Sequence, residues 1–128
     1  MLRRTSRTIV RVRSYFWLLI LSISAFAHAA DATSLEIRKI AYLIASVETL
    51  QNAQFVRNGT AYNAKAAADH LRLKLRMAGS RVATADDFIR LCASASSVSG
   101  VPYQIRFADG RVVSSEAYLR EKLAEFEP

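Results

Sequence analysis

The residue best suited to chemistry in this chain is His70, because its imidazole can titrate near neutral pH and a serine-rich run follows at 94–99. A histidine within hydrogen-bond reach of a serine hydroxyl can act as its general base. His70 with Ser96, Ser97 or Ser99 is therefore a candidate catalytic pair for a small hydrolase or transferase. No Gly-x-Ser-x-Gly turn surrounds these serines and no acid is placed to orient the ring, so a structural or capping histidine is the simpler interpretation.

The serine-rich segment allows two interpretations of its own. Its hydroxyls would most simply satisfy backbone groups at a helix C-terminus, before the corner at Pro102. Alternatively, the hydroxyls and the free amides of the turn at Gly100 form a polar lip that binds an anion or a sugar. If residues 54–57 join the same sheet, further polar side chains lie beside this lip. The binding candidates are then Arg57, Asn58, Ser96, Ser97, Ser99 and Tyr103.

A second candidate surface is basic and lies on the segment 64–78. Its cations concentrate toward the C-terminal half, where they favour the helix dipole. A solvated helix face is the usual explanation. Contact with an anionic component of the cell envelope, such as lipid head groups or acidic polymer, is the alternative. The candidates on this basic face are Arg72, Lys74 and Arg76.

Cys92 is the single cysteine of the chain, so no internal disulfide can stabilise the fold. It follows Phe88 by one helical turn, which favours a buried structural thiol, with a reactive thiol or an intermolecular bridge as the alternative. One histidine beyond residue 29 and one cysteine fall short of any recognised metal-ligand spacing. We therefore expect neither a metal nor a cofactor.

The first 29 residues indicate where the protein acts. Residues 1–13 contain five arginines and no acid, an uncharged apolar run of twelve residues follows at 15–26, and Ala27-His28-Ala29 suits a signal peptidase. As a helix this run would rise about 18 Å, well short of the roughly 30 Å hydrocarbon thickness of a bilayer. We predict a secretory signal peptide cleaved after Ala29 and no stable transmembrane anchor.

Export also changes the charge of the chain. The whole sequence has a formal net charge of +7, but residues 30–128 retain 13 of its 18 basic residues against 11 acids, about +2. This balance is too small to indicate nucleic-acid binding. A mature chain of this length suffices for one small domain, and no stretch resembles a linker to a second.

The spacing of apolar residues beyond residue 30 is mostly helical. A first helix is predicted to start at a capping box of Thr33 and Glu36. Residues 54–57 form a short strand that ends at Asn58-Gly59, and a second helix runs from near Asn63 to Gly79.

A third helix is predicted to begin at the N-cap Thr84, with Asp87 as its capping-box partner. Residues 103–113 alternate around Asp109-Gly110 as a hairpin, and a final helix starts at Ser114 or Ser115. The predicted fold class for residues 30–128 is α+β: about four helices packed on a small antiparallel hairpin, with a three-stranded sheet if residues 54–57 join it.

Four motifs in one order make the chain similar to a known family. They are Phe55-Val56-Arg57-Asn58-Gly59, His70-Leu71-Arg72-Leu73-Lys74, Thr84-Ala85-x-x-Phe88-Ile89 and Ala93-Ser94-x-Ser96-Ser97-x-Ser99-Gly100-x-Pro102-Tyr103. Over roughly residues 35–123 the chain resembles the YfeK-like family, short exported proteins of Gram-negative bacteria classed as a domain of unknown function. The resemblance implies a periplasmic location and a single domain, and it carries over no activity, ligand or catalytic residue.

These observations lead to a functional expectation. We expect a periplasmic binding or accessory module of the cell envelope, without catalysis, whose partner is an envelope protein or an anionic envelope component. The alternatives are the serine–histidine hydrolase or transferase and a purely structural envelope protein.

Overall fold

The computed structural model describes the backbone of residues 15–128 and the side chains of residues 29–128. Residues 1–14 of the predicted export signal, residues 1–29, therefore lie outside the described residues. The chain divides into two units, Met1–Ala32 and Thr33–Pro128, and in the first unit only helical backbone is described for residues 15–28. In the part of the chain that is described, no helix combines the length and apolar character required to cross a membrane.

Helix α1 spans Tyr15–Glu48, so it does not begin at the predicted capping box. The prediction of a start at Thr33 was wrong because Ala29, Ala30 and Ala32 before it are strong helix formers and no residue there breaks the helix. The Glu36 carboxylate instead serves another helix. It accepts a hydrogen bond from the Ala85 backbone N–H at 2.7 Å and pairs with Lys39 at 2.7 Å.

The sheet has four antiparallel strands rather than two or three: β1 (Ala53–Arg57), β2 (Thr60–Tyr62), β3 (Gln104–Phe107) and β4 (Val112–Ser114), in the order β2-β1-β3-β4. The prediction missed β2. Asn58 and Gly59 connect it to β1 with φ values of 49° and 78°, the pair of left-handed residues that a tight two-residue hairpin turn requires. The predicted hairpin around Asp109-Gly110 is confirmed as β3 and β4.

The register of the sheet decides which side chains face the helices. Phe55 pairs with Tyr62 on one side and with Ile105 on the other, and Ile105 pairs with Val113. Phe55 and Ile105 are buried, so this row is the inner face. Because strand side chains alternate between faces, Arg57 shares the inner face with Phe55.

The remaining helices begin where their capping residues predict. Helix α2 (Ala64–Ala78) starts at Asn63, whose side chain accepts the Ala66 N–H at 2.8 Å. Helix α3 (Ala85–Phe88) starts with the capping box of Thr84 and Asp87 and continues as a π-helical turn, Ile89–Ala93. Helix α4 (Ser115–Ala124) follows β4 directly and is capped by Ser114.

The core lies between these helices and the inner face of the sheet. Its fully buried side chains come from every layer: Leu43, Val47, Phe88, Ile89, Cys92, Ile105 and Leu119. Burial raises the pKa of the Cys92 thiol above its ordinary value. Because the thiolate is the reactive form, this thiol is a packing residue, as its spacing predicts.

The contact between Glu36 and Ala85 N–H fastens α1 to the start of α3, and its removal should weaken the fold. Replacing Glu36 by Ala leaves that backbone donor without its charged acceptor while preserving helix propensity. We expect the free energy of unfolding to fall by about 1–2 kcal/mol, measured by urea denaturation at pH 7. Glu121→Ala, which removes an exposed carboxylate from α4, is the control and should change little. Equal losses in both variants would contradict this role.

Candidate functional site

A pocket of about 200 Å³ lies between α2 and the inner face of the sheet. Its wall is mainly apolar and combines α1, the strands and α2: Val47, Phe55, Tyr62, Ala66, Ala67 and Leu71. Its polar lining consists of Arg57, His70, Tyr103, Gln104 and Ser115. A concave apolar surface with a few convergent polar groups is the usual form of a small-molecule site.

Arg57 and His70 meet at one side of this pocket. The Arg57 Nη1 atom lies 3.0 Å from both ring nitrogens of His70, and the His70 Nε2 atom lies 3.4 Å from the Tyr103 hydroxyl oxygen. A guanidinium can only donate, so the ring must accept and is neutral in this contact. Because Nη1 is equally distant from both ring nitrogens, it can donate to whichever nitrogen lacks the proton in a neutral tautomer.

Three effects lower the pKa of His70 below its ordinary value. Partial burial is the largest, and the positive charges of Arg57 and Lys74 add to it. The imidazole is therefore uncharged at neutral pH, and it positions Arg57 rather than contributing a charge of its own.

Lys74 lies behind Tyr103 rather than on an exposed basic face. Its Nζ atom donates to the Ala95 carbonyl oxygen at 2.9 Å and to the Tyr103 hydroxyl oxygen at 3.2 Å. It also lies 5.0 Å from the centre of the Tyr103 ring, within the range of a cation–π contact. Lys74 thus fixes the tyrosine that closes one side of the pocket.

The charge of this site is not balanced by acids. Among residues 29–128, no carboxylate forms an ion pair with Arg57 or Lys74, and no Asp or Glu lines the pocket. Arg57 instead lies over the Tyr62 ring, with its Cζ atom 5.4 Å from the ring centre. The pocket is therefore locally positive inside a chain with little net charge after residue 29.

The three residues of the predicted basic face do not share one exposed surface. Lys74 turns inward to Tyr103, as described above. Arg72 pairs with Glu48 at 2.5 Å and with Asp69 at 3.0 Å, so acids neutralise its charge. Arg76 is exposed on the same side as Arg72.

The other polar candidates form a separate cluster at the turn between β1 and β2. The Asn58 side-chain Nδ2 donates to Ser96 Oγ at 3.3 Å, and Ser99 Oγ donates to Asn58 Oδ1 at 2.7 Å. We call Asn58, Ser96 and Ser99 the loop clamp. The buried Ser96 Oγ also accepts the backbone N–H groups of Val98 and Ser99, at 3.4 and 3.3 Å. Ser97 is exposed beside this clamp.

The structure shows no hydrogen bond within the candidate catalytic pair. Within the described residues, His70 hydrogen-bonds to Arg57 and Tyr103 and to none of the three serines. The Ser96 hydroxyl oxygen is used inside its loop, and Ser99 is bonded to Asn58. Residues 29–128 also contain no group of three or more His, Cys, Asp and Glu side chains placed to hold a metal ion.

The sequence interpretation separated residues that the structure brings together. It treated His70 as a catalytic candidate and Lys74 as part of a basic face, although both lie on the Arg57–Tyr103 site. The signal that could have joined them is helical spacing. His70 and Lys74 are one turn apart, on the side of α2 that carries Ala67.

Comparison with known proteins assigns the chain to a family. Residues 34–127, well over half of the chain, match the model of DUF5329. This model is described as a family of unknown function. The chain belongs to the DUF5329 family. It is also 38% identical over 85 residues to the "Uncharacterized protein YfeK" of Salmonella typhimurium, an alignment that covers 66% of this chain and 68% of that relative. No solved structure matches the chain.

The DUF5329 match confirms the family resemblance that the four motifs indicated. The first motif supplies Arg57 and Asn58, and the second supplies His70 and Lys74, so both hold residues of the pocket or the loop clamp. Neither the family description nor the name of the relative assigns an activity to these residues.

The loop clamp implies that one serine stabilises the fold while its neighbour does not. Replacing Ser96 by Ala leaves two backbone donors and the Asn58 amide without their shared acceptor. We expect the free energy of unfolding to fall by about 1 kcal/mol and amide exchange in residues 96–100 to accelerate. Ser97→Ala is the matched control and should alter neither quantity. Indistinguishable behaviour of the two variants would show that the clamp contributes nothing.

His70 should make the stability of the fold depend on pH. Its folded-state pKa lies below its unfolded value, so its contribution is present above about pH 6.5 and is lost as the pH falls through the folded pKa. We therefore expect wild type to lose stability between pH 8 and pH 5 more steeply than His70→Gln, which cannot be protonated. Urea denaturation across this range measures both slopes, and parallel curves would contradict the expectation.

Proposed function

We propose that this protein acts in the cell envelope, after export, as a non-catalytic binding module that captures a small anionic ligand in the pocket between α2 and the sheet. One observation carries the proposal. The Arg57 guanidinium faces a largely apolar pocket without an acid of the described residues to neutralise it.

The energetics of a partly buried cation support this proposal. A charge removed from water is costly unless it is paired, and proteins usually provide an acid for it. Here the neighbours of Arg57 are a neutral imidazole and the face of Tyr62, which orient the guanidinium but do not balance its charge. An anionic ligand would supply the missing partner and gain charge-assisted hydrogen bonds.

The proposed envelope location rests on the sequence rather than on the pocket. The arginine-rich start, the short apolar run and the Ala27-His28-Ala29 site support export. An exported binding module would meet anionic envelope components, which we propose as its ligand source, rather than nucleic acid. The small net charge of residues 30–128 agrees with this choice.

The binding function can be tested with a fragment library that contains neutral, cationic and anionic compounds. We expect anionic fragments to shift the NMR signals of Arg57, His70 and Tyr103 in the purified protein. The double variant Arg57→Gln/Tyr103→Phe should bind them at least tenfold more weakly while keeping the far-UV circular dichroism of the wild type. Failure of every fragment class to perturb the pocket would favour a purely structural protein.

Arg106→Gln provides the matched control for this experiment. Arg106 lies on β3, and its exposed side chain projects from the sheet face opposite the pocket. The substitution removes the same charge from the same sheet, so a loss of binding in this control would indicate a general charge effect instead of a specific site.

A further inference from the structure

The pocket also defines which kind of anion fits, an inference that rests on the binding function proposed above. We infer that the ligand is a carboxylate attached to one compact apolar group, about the size of a single six-membered ring. Three properties of the pocket lead to this class: the number of charges that line it, the shape of the group that carries the charge, and the volume beside that group.

The number of charges indicates a monoanion. Arg57 is the one permanent cation that lines the pocket, within the described residues. His70 is neutral where it accepts from Arg57, and the Lys74 ammonium is directed to the Ala95 carbonyl and the Tyr103 hydroxyl. A dianion such as a phosphate monoester would therefore bring a second negative charge that no cation lining the pocket matches.

The shape of the charged group indicates a carboxylate. A guanidinium presents its N–H donors in a planar fork that matches the two oxygens of a carboxylate. Arg57 uses Nη1 to contact His70, and its Cζ atom lies 5.4 Å from the centre of the Tyr62 ring. The other donors of Arg57 have no hydrogen-bond partner among residues 29–128, so they are free to meet a ligand.

The volume and lining of the pocket limit the apolar part. The side chains of Phe55, Leu71 and Val47 supply an apolar wall next to Arg57. An apolar cavity of about 150 Å³ in another protein holds benzene, so about 200 Å³ accommodates one ring together with a carboxylate. A second linked ring would not be enclosed beside the carboxylate and would extend into solvent, where it gains no apolar contact.

His70 couples this binding to pH. His70 contacts two charged or titratable groups, Arg57 from β1 and Tyr103 before β3. The charge of Lys74, one turn further along α2, also acts on it. A carboxylate bound at Arg57 would offset the positive charges that oppose protonation of His70. By linkage, protonation of His70 must then strengthen carboxylate binding.

Isothermal titration of the purified protein at pH 7 with a matched series of probes tests the inference. Benzoate is the reference; benzamide removes the charge, acetate removes the ring, phenyl phosphate adds a charge and biphenyl-4-carboxylate adds a ring. We expect benzamide, acetate and phenyl phosphate to bind at least tenfold more weakly than benzoate, and biphenyl-4-carboxylate to bind no more tightly than benzoate. Benzoate should also bind more tightly at pH 5.5 than at pH 7.5, and this gain should disappear in His70→Gln.

The same experiment separates the ligand class from the binding function. Preferential binding of benzamide, phenyl phosphate or the biphenyl acid in the pocket would overturn the carboxylate inference and leave the binding module standing. No binding by any probe, combined with a silent fragment screen, would overturn both. Arg57→Lys, which keeps the charge but removes the planar fork, should weaken benzoate, and Arg106→Gln should not.

One further probe identifies the source of the carboxylate. N-acetylphenylalanine carries its carboxylate next to a peptide bond and a single ring, as the carboxyl terminus of a peptide that ends in an aromatic residue does. Binding tighter than that of benzoate would assign the site to a peptide terminus, and weaker binding would assign it to a free acid. Equal affinity of N-acetylphenylalanine and its uncharged amide would contradict the role of the carboxylate in either source.

Discussion

The pairing of β1 with β3 is the constraint on which the rest of this structure depends. These strands come from opposite ends of the described domain, and their contact aligns Phe55 with Ile105 at the centre of the sheet. The helices then cover the resulting apolar row. Because the same pairing continues to Val56 and Gln104, it also brings Arg57 toward Tyr103 and the turn at Asn58 toward the serine-rich loop. The core, the pocket and the loop clamp therefore all depend on the pairing of β1 with β3.

The polar residues around this pairing divide into two kinds. The side chains of the loop clamp hydrogen-bond to one another within the protein. Those of the pocket do not balance in charge, since Arg57 and Lys74 face a histidine and a tyrosine instead of acids. Arg72 and Arg120 differ from Arg57, because each of them contacts two carboxylates. Arg57 is instead partly buried beside a histidine and a tyrosine, and no acid of residues 29–128 forms an ion pair with it.

Local signals in the sequence predict the parts of the fold that local interactions determine. Asn63, Thr84 and Ser114 each begin a helix because their side chains accept nearby backbone N–H groups, and Asp109-Gly110 turns a hairpin. The capping box proposed at Thr33 failed because helix formers precede it, and the carboxylate of Glu36 caps α3 from another part of the chain. Strand β2 was missed although Asn58-Gly59 is itself a strong hairpin signal, because only three residues follow before α2.

Local sequence signals do not predict the site, because the site depends on the pairing of strands that are far apart in the sequence. Side chains alternate along β1, so Arg57 faces the pocket only in the register that buries Phe55; a shift of one residue would turn both to the solvent face. The turn holds this register, because Asn58 tolerates its positive φ and still reaches the serine loop with its side chain. Arg57 and Asn58 are neighbours in the sequence, but their side chains reach different parts of the structure because β1 ends at Arg57 and the turn begins at Asn58. The strand directs the Arg57 side chain inward to the pocket, and the turn directs the Asn58 side chain sideways to the serine-rich loop.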